Sequence, residues 1–194
     1  MIIALTGYKQ SGKSTASQHL QEKYGFVRHN FKDALIQELK ENFPDLLNEI
    51  MINLFENWDN FGKEKKVFSI DNLFEEKPPL IRKLLQNYGT DVRRKDDENY
   101  WVKKWLMYMP NILRDDIVVD DLRFLNEAKN IKNYNNSIII KIVRTGQVKD
   151  DAHPSETEHL DIVPDFVIEA GDGEQEKICE QLDIILKQKN YGTT

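Results

Sequence analysis

The chain begins Met1-Ile2-Ile3-Ala4-Leu5 and, after Thr6, continues Gly7-Tyr8-Lys9-Gln10-Ser11-Gly12-Lys13-Ser14. That octet satisfies the pattern G-x-x-x-x-G-K-[ST] at every fixed position. Its surroundings agree with the mechanism behind the pattern. An apolar run of buried-strand length stops abruptly, a glycine-rich turn follows, and Thr15-Ala16-Ser17-Gln18-His19-Leu20 carries on as a helix. A helix starting there turns its unpaired N–H groups and the positive end of its dipole toward an anion. Residues Gly7 to Thr15 are therefore expected to wrap the phosphates of a nucleoside triphosphate, ATP. Lys13 would reach the terminal phosphates, and the Ser14 hydroxyl would serve Mg²⁺.

A chain of 194 residues can bury one substantial core and carry a smaller lobe on it. The net charge of −6 argues against a broad nucleic-acid or membrane footprint, since both partners are polyanions. Cys179 is the sole cysteine, which removes disulfide frameworks and cysteine-rich metal sites; it is expected as a small core residue of the last helix. The opening apolar run is too short for a leader, and no stretch approaches the ~18 apolar residues of a spanning helix. The cytoplasm is the expected compartment. The richness in Asn, Lys and Ile is compatible with an AT-rich genome, such as some phages carry.

Outward from the loop, short apolar runs recur at Ile2–Leu5, Ile117–Val119, Ile138–Val143 and Phe166–Ile168, with helical patterns between them. This alternation predicts a parallel sheet with crossover helices, an α/β fold in three α/β/α layers. Pro78-Pro79 opens one helix, with Leu80, Ile81, Leu84, Leu85 and Tyr88 on one side and Gly89 as its stop. Asp97 is placed to cap the next, whose apolar face comprises Trp101, Val102, Trp105, Leu106 and Met109. The last helix carries Ile178, Leu182, Ile185 and Leu186. Two stretches break the rhythm: a mostly helical one after Phe31, with Phe55, Trp58 and Phe61 at its centre, and the polar Thr145–Val163. They read as a substrate lobe and a lid. The expected division is a core of 1–30, 91–144 and 164–194, a helical insert over about 31–90 and a lid over about 145–163.

Ile117-Val118-Val119-Asp120-Asp121 is an apolar strand ending in acids. Beside a phosphate loop such an acid holds Mg²⁺ or orients a nucleophile, although strands also end in Asp for turn chemistry. Arg123 follows, either to grip a phosphate bidentately or to pair with Glu127 at a helix start. Arg93 and Arg94 are adjacent, as a solvated pair or an anion clamp. Arg144 ends its strand at the entrance to the expected lid. Asp33 stands in the first turn of a helix, as a cap or as an acid facing substrate. His153 and His159 lack metal-ligand spacing. Together these residues suit phosphoryl transfer, which needs charge stabilisation and in-line positioning more than covalent chemistry.

The order of these parts resembles the nucleoside monophosphate kinases, and more narrowly the deoxynucleoside monophosphate kinases of phages and some bacteria. The matching residues are Leu84-Leu85-Gln86-Asn87-Tyr88-Gly89-Thr90-Asp91 with Arg94 and Trp101-Val102, then Asp121-Leu122-Arg123-Phe124-Leu125-Asn126-Glu127-Ala128, then His153-Pro154-Ser155-Glu156. The resemblance covers nearly the whole chain. It implies ATP- and Mg²⁺-dependent phosphorylation of a deoxynucleoside 5′-monophosphate, with Lys13, Arg144, Asp33 and Asp121 catalytic and Ser14 and Asp121 at the metal. It implies Arg94 and Arg123 on the acceptor phosphate, with Asp33, Gln86, Thr90 and Glu127 as further acceptor contacts. Such kinases act as monomers or dimers, so a homodimer is compatible with the chain. The departures are an acidic lid, with Arg144 at its edge and only Lys149 within, and an insert from Pro44 to Lys77 without a recognisable motif. A kinase of another small acceptor, such as dephospho-coenzyme A, and a nucleotide-binding protein without turnover are the competing readings.

Overall fold

The computed structural model describes residues 1–56, 69–146 and 157–191, with residues 54–56 by backbone alone. Within these the chain forms two compact units, Met1–Phe31 with Val102–Thr194, and Lys32–Trp101.

The first unit is built on a five-stranded parallel sheet of β1 (Ile2–Thr6), β2 (Val27–Arg28), β3 (Ile117–Val119), β4 (Ser137–Arg144) and β5 (Phe166–Ala170). The spatial order is β2-β3-β1-β4-β5, so β1 is central and its carboxyl end feeds the phosphate loop. Ile2, Ile3 and Ala4 pair with Ile117, Val118 and Val119 on one side, and Ile2 to Thr6 pair with Ser137 to Lys141 on the other. Strands buried on both faces read as continuous apolar runs, which made β1, β3 and β4 visible in the sequence, while the edge strand β5, with Val167 and Glu169 exposed, was visible as the short run Phe166–Ile168. The exception is β2, two exposed residues at the sheet edge.

Alternate strand residues feed two separate cores, as the two-residue strand period requires. On one face Ile3, Leu5, Val118, Ile140 and Ile142 pack with Ala16 and Leu20 of α1 (Lys13–Tyr24) and with Ile178, Leu182, Ile185 and Leu186 of the last helix (Gln175–Gln188). On the other face Ile2, Ala4, Ile117, Val119 and Ile139 pack with Val102 and Trp105, and with Ala128 and Ile131 of the helix Leu125–Lys132. Helices on both sides of one parallel sheet make the expected α/β/α sandwich. In the last helix Cys179 is half-buried rather than a core residue.

The second unit contains α2 from Lys32 onward (Phe31–Asn42 in full), α3 (Pro44–Glu56), α4 (Ile70–Glu76) and α5 (Pro79–Gln86) around Leu39, Leu47, Leu73, Ile81 and Trp101. Ser69 caps α4, accepting from the Asn72 amide while the Asn72 side chain takes the Ser69 N–H. Two expectations need correction here. Gly89 does not stop the preceding helix: the chain continues from α5 directly into a π-helical segment, Asn87–Arg94. The glycine is accommodated because it packs on α2, where an added Cβ would stand 3.1 Å from Leu35 Cδ2. Leu80 is exposed rather than on the buried side with Ile81.

The next helix, α6 (Tyr100–Met107), buries Trp101, Val102 and Trp105 as expected, whereas Leu106 faces solvent. Asp97 stands in the turn before α6, where its carboxylate accepts from the Asn99 amide at 3.0 Å and its carbonyl from the Tyr100 amide at 2.9 Å. The helix Leu125–Lys132 is α7 and Gln175–Gln188 is α8. Of the stretch 145–163, residues 147–156 lie outside the described residues, as do Trp58, Phe61 and the Phe55 side chain. These include Lys149 and the His153–Glu156 element. The chain returns in a 3₁₀ turn, Glu158–Asp161. Among the described residues no helix is long and apolar enough to cross a membrane.

Candidate active site

The phosphate loop is built on unusual backbone. Gly7 and Gly12 have φ of 135° and 104°, and Gln10 stands at 62°. At Gly7 an added Cβ would run into the Ile142 carbonyl, and at Gly12 into Ile178 Cδ1. Both glycines are thus required twice, by backbone angle and by close approach to β4 and α8. Gly12 is the N-cap of α1 and has no side chain to satisfy the first amides of that helix. Those donors are the ones an anion would take.

Lys13 is buried, and its ammonium folds back along the loop. Nζ donates to the Gly7 carbonyl at 2.8 Å, the Tyr8 carbonyl at 2.6 Å and Ser11 Oγ at 3.4 Å. The charge is therefore held at the mouth of the loop by acceptors a phosphate can replace. Ser14, one residue on, is exposed, and Thr15 is half-buried.

A cavity of about 260 Å³ opens over the loop, lined by Gln10 to Thr15, Arg144, Gly171, Gly173, Glu174, Gln175 and Ile178. The last group comes from the β5–α8 connection, which the sequence reading did not assign to the site. The signal was present as Gly171-Asp172-Gly173 after an apolar strand, a turn at a sheet's carboxyl end. Glu174 shapes this turn by accepting the Gly171 amide at 2.7 Å. That hydrogen bond, with Lys177 beside it, holds the Glu174 carboxyl below its usual range. Arg144 ends β4 at the same opening, donating to the Gln10 carbonyl at 3.2 Å and pairing with Asp172.

The acids after β3 are both buried. Asp120 is locked in place: Arg28 Nε lies 2.9 Å from Oδ2, Asn30 Nδ2 donates to Oδ1 at 2.8 Å, and the Asp120 amide donates back to Asn30 Oδ1 at 2.8 Å. Arg28 ends β2, too short a strand to stand out in the sequence, and Asn30 follows two residues later. Asp121 accepts the Phe31 amide at 3.1 Å through Oδ1, so it caps α2 from 90 residues away in sequence. Glu127 is nearly fully buried and accepts the amides of Arg123 at 3.0 Å and Phe124 at 3.2 Å, which fixes the start of α7. Glu158 adds a second carboxylate there, accepting a third amide, that of Leu125, at 2.8 Å. Arg123 is thus carried on a rigid, carboxylate-capped turn, and its side chain is half-buried. The ring of His159, from the same 3₁₀ turn as Glu158, meets the Tyr8 ring edge-on at 4.7 Å.

In the second unit, Asp33 is exposed in the first turn of α2. Gln86, Thr90 and Arg94 are all half-buried. They are spaced four apart through the end of α5 and the π-helical segment. Arg94 Nη1 donates to the Glu98 carbonyl at 3.2 Å. The neighbouring Arg93 is held differently, paired with Glu38 at 2.5 Å.

A metal would find hard oxygen donors at Ser14 and Asp121. Among the described residues, no group of three or more His, Cys, Asp or Glu could hold a metal ion. That donor set fits Mg²⁺, which keeps most of its waters and binds through one or two protein oxygens plus substrate phosphates.

A family model for deoxynucleotide monophosphate kinases matches residues 50–181. A protein of Acanthamoeba polyphaga mimivirus that carries the deoxynucleotide monophosphate kinase name is 34% identical over 174 residues, covering 81% of this chain and 81% of that one. Among solved structures, TT1252 from Thermus thermophilus aligns over 97% of each chain at 15% identity with a TM-score of 0.48. A dephospho-CoA kinase from Campylobacter jejuni covers 97% of this chain and 98% of its own at 16% identity and a TM-score of 0.43. The matched model spans more than half of the chain and the mimivirus relative is close enough to align through most of it, so the chain belongs to the deoxynucleotide monophosphate kinase family.

Proposed function

We propose that this chain transfers the γ-phosphoryl group of ATP to a deoxynucleoside 5′-monophosphate, giving the diphosphate and ADP. The observation that carries the reading is a complete phosphate loop, lysine in place, in a chain whose residues 50–181 match this kinase family.

The first unit supplies the donor machinery. The first amides of α1 and the loop N–H groups receive the β- and γ-phosphates, and the Lys13 ammonium leaves the Gly7 and Tyr8 carbonyls for them. Because the loop is already curved by Gly7 and Gly12, little reorganisation is needed when charge develops. Ser14 and Asp121 would hold Mg²⁺, which supplies charge neutralisation between the phosphates. The donor nucleobase side of ATP falls to the cavity wall of Gly171 to Gln175, with Arg144 beside it. Arg144 also serves the transferring group once it leaves Asp172.

Acceptor recognition falls to Arg123 and Arg94 for the phosphate, with Gln86, Thr90 and Asp33 for the rest of the nucleotide. Glu127, turned onto backbone amides, serves by fixing Arg123. The helical insert acts as the acceptor-binding lobe and residues 145–163 as the lid. We place the reaction in the cytoplasm, with nucleotides as partners rather than nucleic acid or membrane, and a homodimer compatible with it.

The test is ADP release with Mg-ATP against dAMP, dCMP, dGMP, dTMP, their ribonucleotides and dephospho-coenzyme A. Activity with a deoxynucleotide is expected. Turnover of dephospho-coenzyme A alone, or of no acceptor despite ATP binding, would overturn the reading.

A further inference from the structure

A closely engaged charged cluster of the second unit lies outside every role assigned above. Glu38, on α2, is buried, and its two oxygens collect three donors. Oε1 accepts Tyr88 OH at 2.7 Å and Arg93 Nη2 at 2.5 Å, while Oε2 accepts Tyr100 OH at 2.6 Å. Arg93 also donates to Tyr88 OH through Nε at 3.1 Å and Nη2 at 2.8 Å. Its guanidinium lies 5.1 Å from the centroids of both tyrosine rings. Burial alone would push the Glu38 carboxyl up, but the donors from Tyr100, Tyr88 and Arg93 outweigh it and hold the group below its usual range. Tyr100 is pushed up to about 12 by burial and by the carboxylate beside it.

The spacing of the two arms is what matters. Tyr88 and Arg93 are five residues apart in the π-helical segment, and both reach the same oxygen of Glu38. In an α-helix of 3.6 residues per turn, side chains five apart diverge by about 140° around the axis. In a π-helix, whose amides bond five residues back, they come together. The pair therefore selects the wide turn over the ordinary one. Trp101 adds to the selection by donating Nε1 to the Gly89 carbonyl at 2.8 Å within the same segment. A π-helix is uncommon and needs such holding. Relaxing the segment to α would carry Arg94 around the axis relative to Gln86.

We propose that Glu38 is a positioning residue for the acceptor nucleotide: by binding Tyr88 and Arg93 it sets the π-helical register, and with it the face of the helix on which Arg94 stands relative to Gln86 and Thr90. This rests on the reading of those three residues as acceptor contacts. It also divides the adjacent arginines, Arg93 serving the fold of the segment and Arg94 the phosphate.

The test is a double-mutant cycle on the kinase reaction with Glu38→Gln and Arg94→Ala. Glu38→Gln is expected to raise the acceptor KM about tenfold, with the KM for ATP within about twofold. In the Arg94→Ala background it is expected to change the acceptor KM little further, because its effect runs through Arg94. A purely structural role would leave the acceptor KM unchanged or add its effect independently of Arg94, and either result overturns the proposal. If Glu38→Gln does not fold, Tyr100→Phe, which removes one hydroxyl, enters the same cycle under the same criteria. Arg94→Ala without effect on the acceptor KM would remove the acceptor reading of this face, and the proposal with it. An effect of Arg94→Ala without one from Glu38→Gln or Tyr100→Phe would remove the proposal alone.

Discussion

Gly12 and Ile178 are in direct opposition: the α-carbon of the phosphate loop faces the δ-methyl of the last helix, with no room for a Cβ between them. Ile178 is itself buried in the core beneath α1. The loop is shaped from outside as well as by its own glycines, because α8 presses on it from the far end of the chain.

Gly12→Ala should therefore strain the backbone at φ 104° and displace Ile178, costing roughly 1–3 kcal/mol of stability. Gly7→Ala should cost more, because the obstacle there is the Ile142 carbonyl, main chain of a central strand that has no rotamer to change. Adding Ile178→Ala to Gly12→Ala should relieve the clash but not the backbone strain. Thermal denaturation of the four proteins checks the ranking, and equal losses at the two glycines would contradict it.

Lys13→Ala should abolish transfer, by about a thousandfold or more in kcat, as loss of a charge that stabilises the transition state does. The melting temperature should move little, since Nζ is held by loop carbonyls and a hydroxyl rather than by core. Single-turnover kinetics alongside circular dichroism tests both halves. Wild-type turnover in the variant would remove the phosphate-loop assignment.

Arg144 is tied to Asp172, an exposed carboxylate. An ion pair of that kind contributes about 0–1 kcal/mol, so Asp172→Asn should leave stability nearly unchanged. It should lower the KM for ATP a few-fold, because the guanidinium no longer has to leave a carboxylate to meet the nucleotide. Arg144→Ala should raise that KM about tenfold. An unchanged KM in both variants would take Arg144 out of the donor site.

Asp183 on α8 gathers three partners from α1: Lys23 at 2.6 Å, His19 at 2.7 Å and Tyr24 at 2.7 Å. Burial works to raise its pKa, but these hydrogen bonds prevail and hold the carboxyl well below the usual carboxylate range. A depressed folded-state pKa gives stability that is complete above the unfolded value, about 4, and is lost as pH falls toward the folded one. Asp183→Asn should cost ~1–2 kcal/mol at neutral pH and less in acid, flattening the acid side of the stability curve below about pH 4. Urea unfolding from pH 7 to pH 3 measures it, and a parallel shift of the whole curve would contradict the assignment.

What was legible in the sequence was whatever depends on neighbours along the chain. The phosphate loop declares itself because its glycines, lysine and serine act within eight residues, and the buried parallel strands because both faces need apolar side chains. The stretch from Asp121 to Ala128 is local too. What only the tertiary structure decided depends on groups far apart in sequence. Gly89 looks like a helix stop, since glycine commonly ends helices. Yet the helix runs through it, in a wider register held by Glu38, 50 residues from Tyr88. Adjacent arginines look alike until a buried carboxylate claims Arg93. Asp121 caps a helix from 90 residues away, and the Gly171–Gln175 wall of the cavity reaches the loop only when β5 pairs with β4. Hydrogen-bond accounting and steric exclusion act between atoms in space, so the residues that complete the site were settled by packing, and those that begin it by sequence.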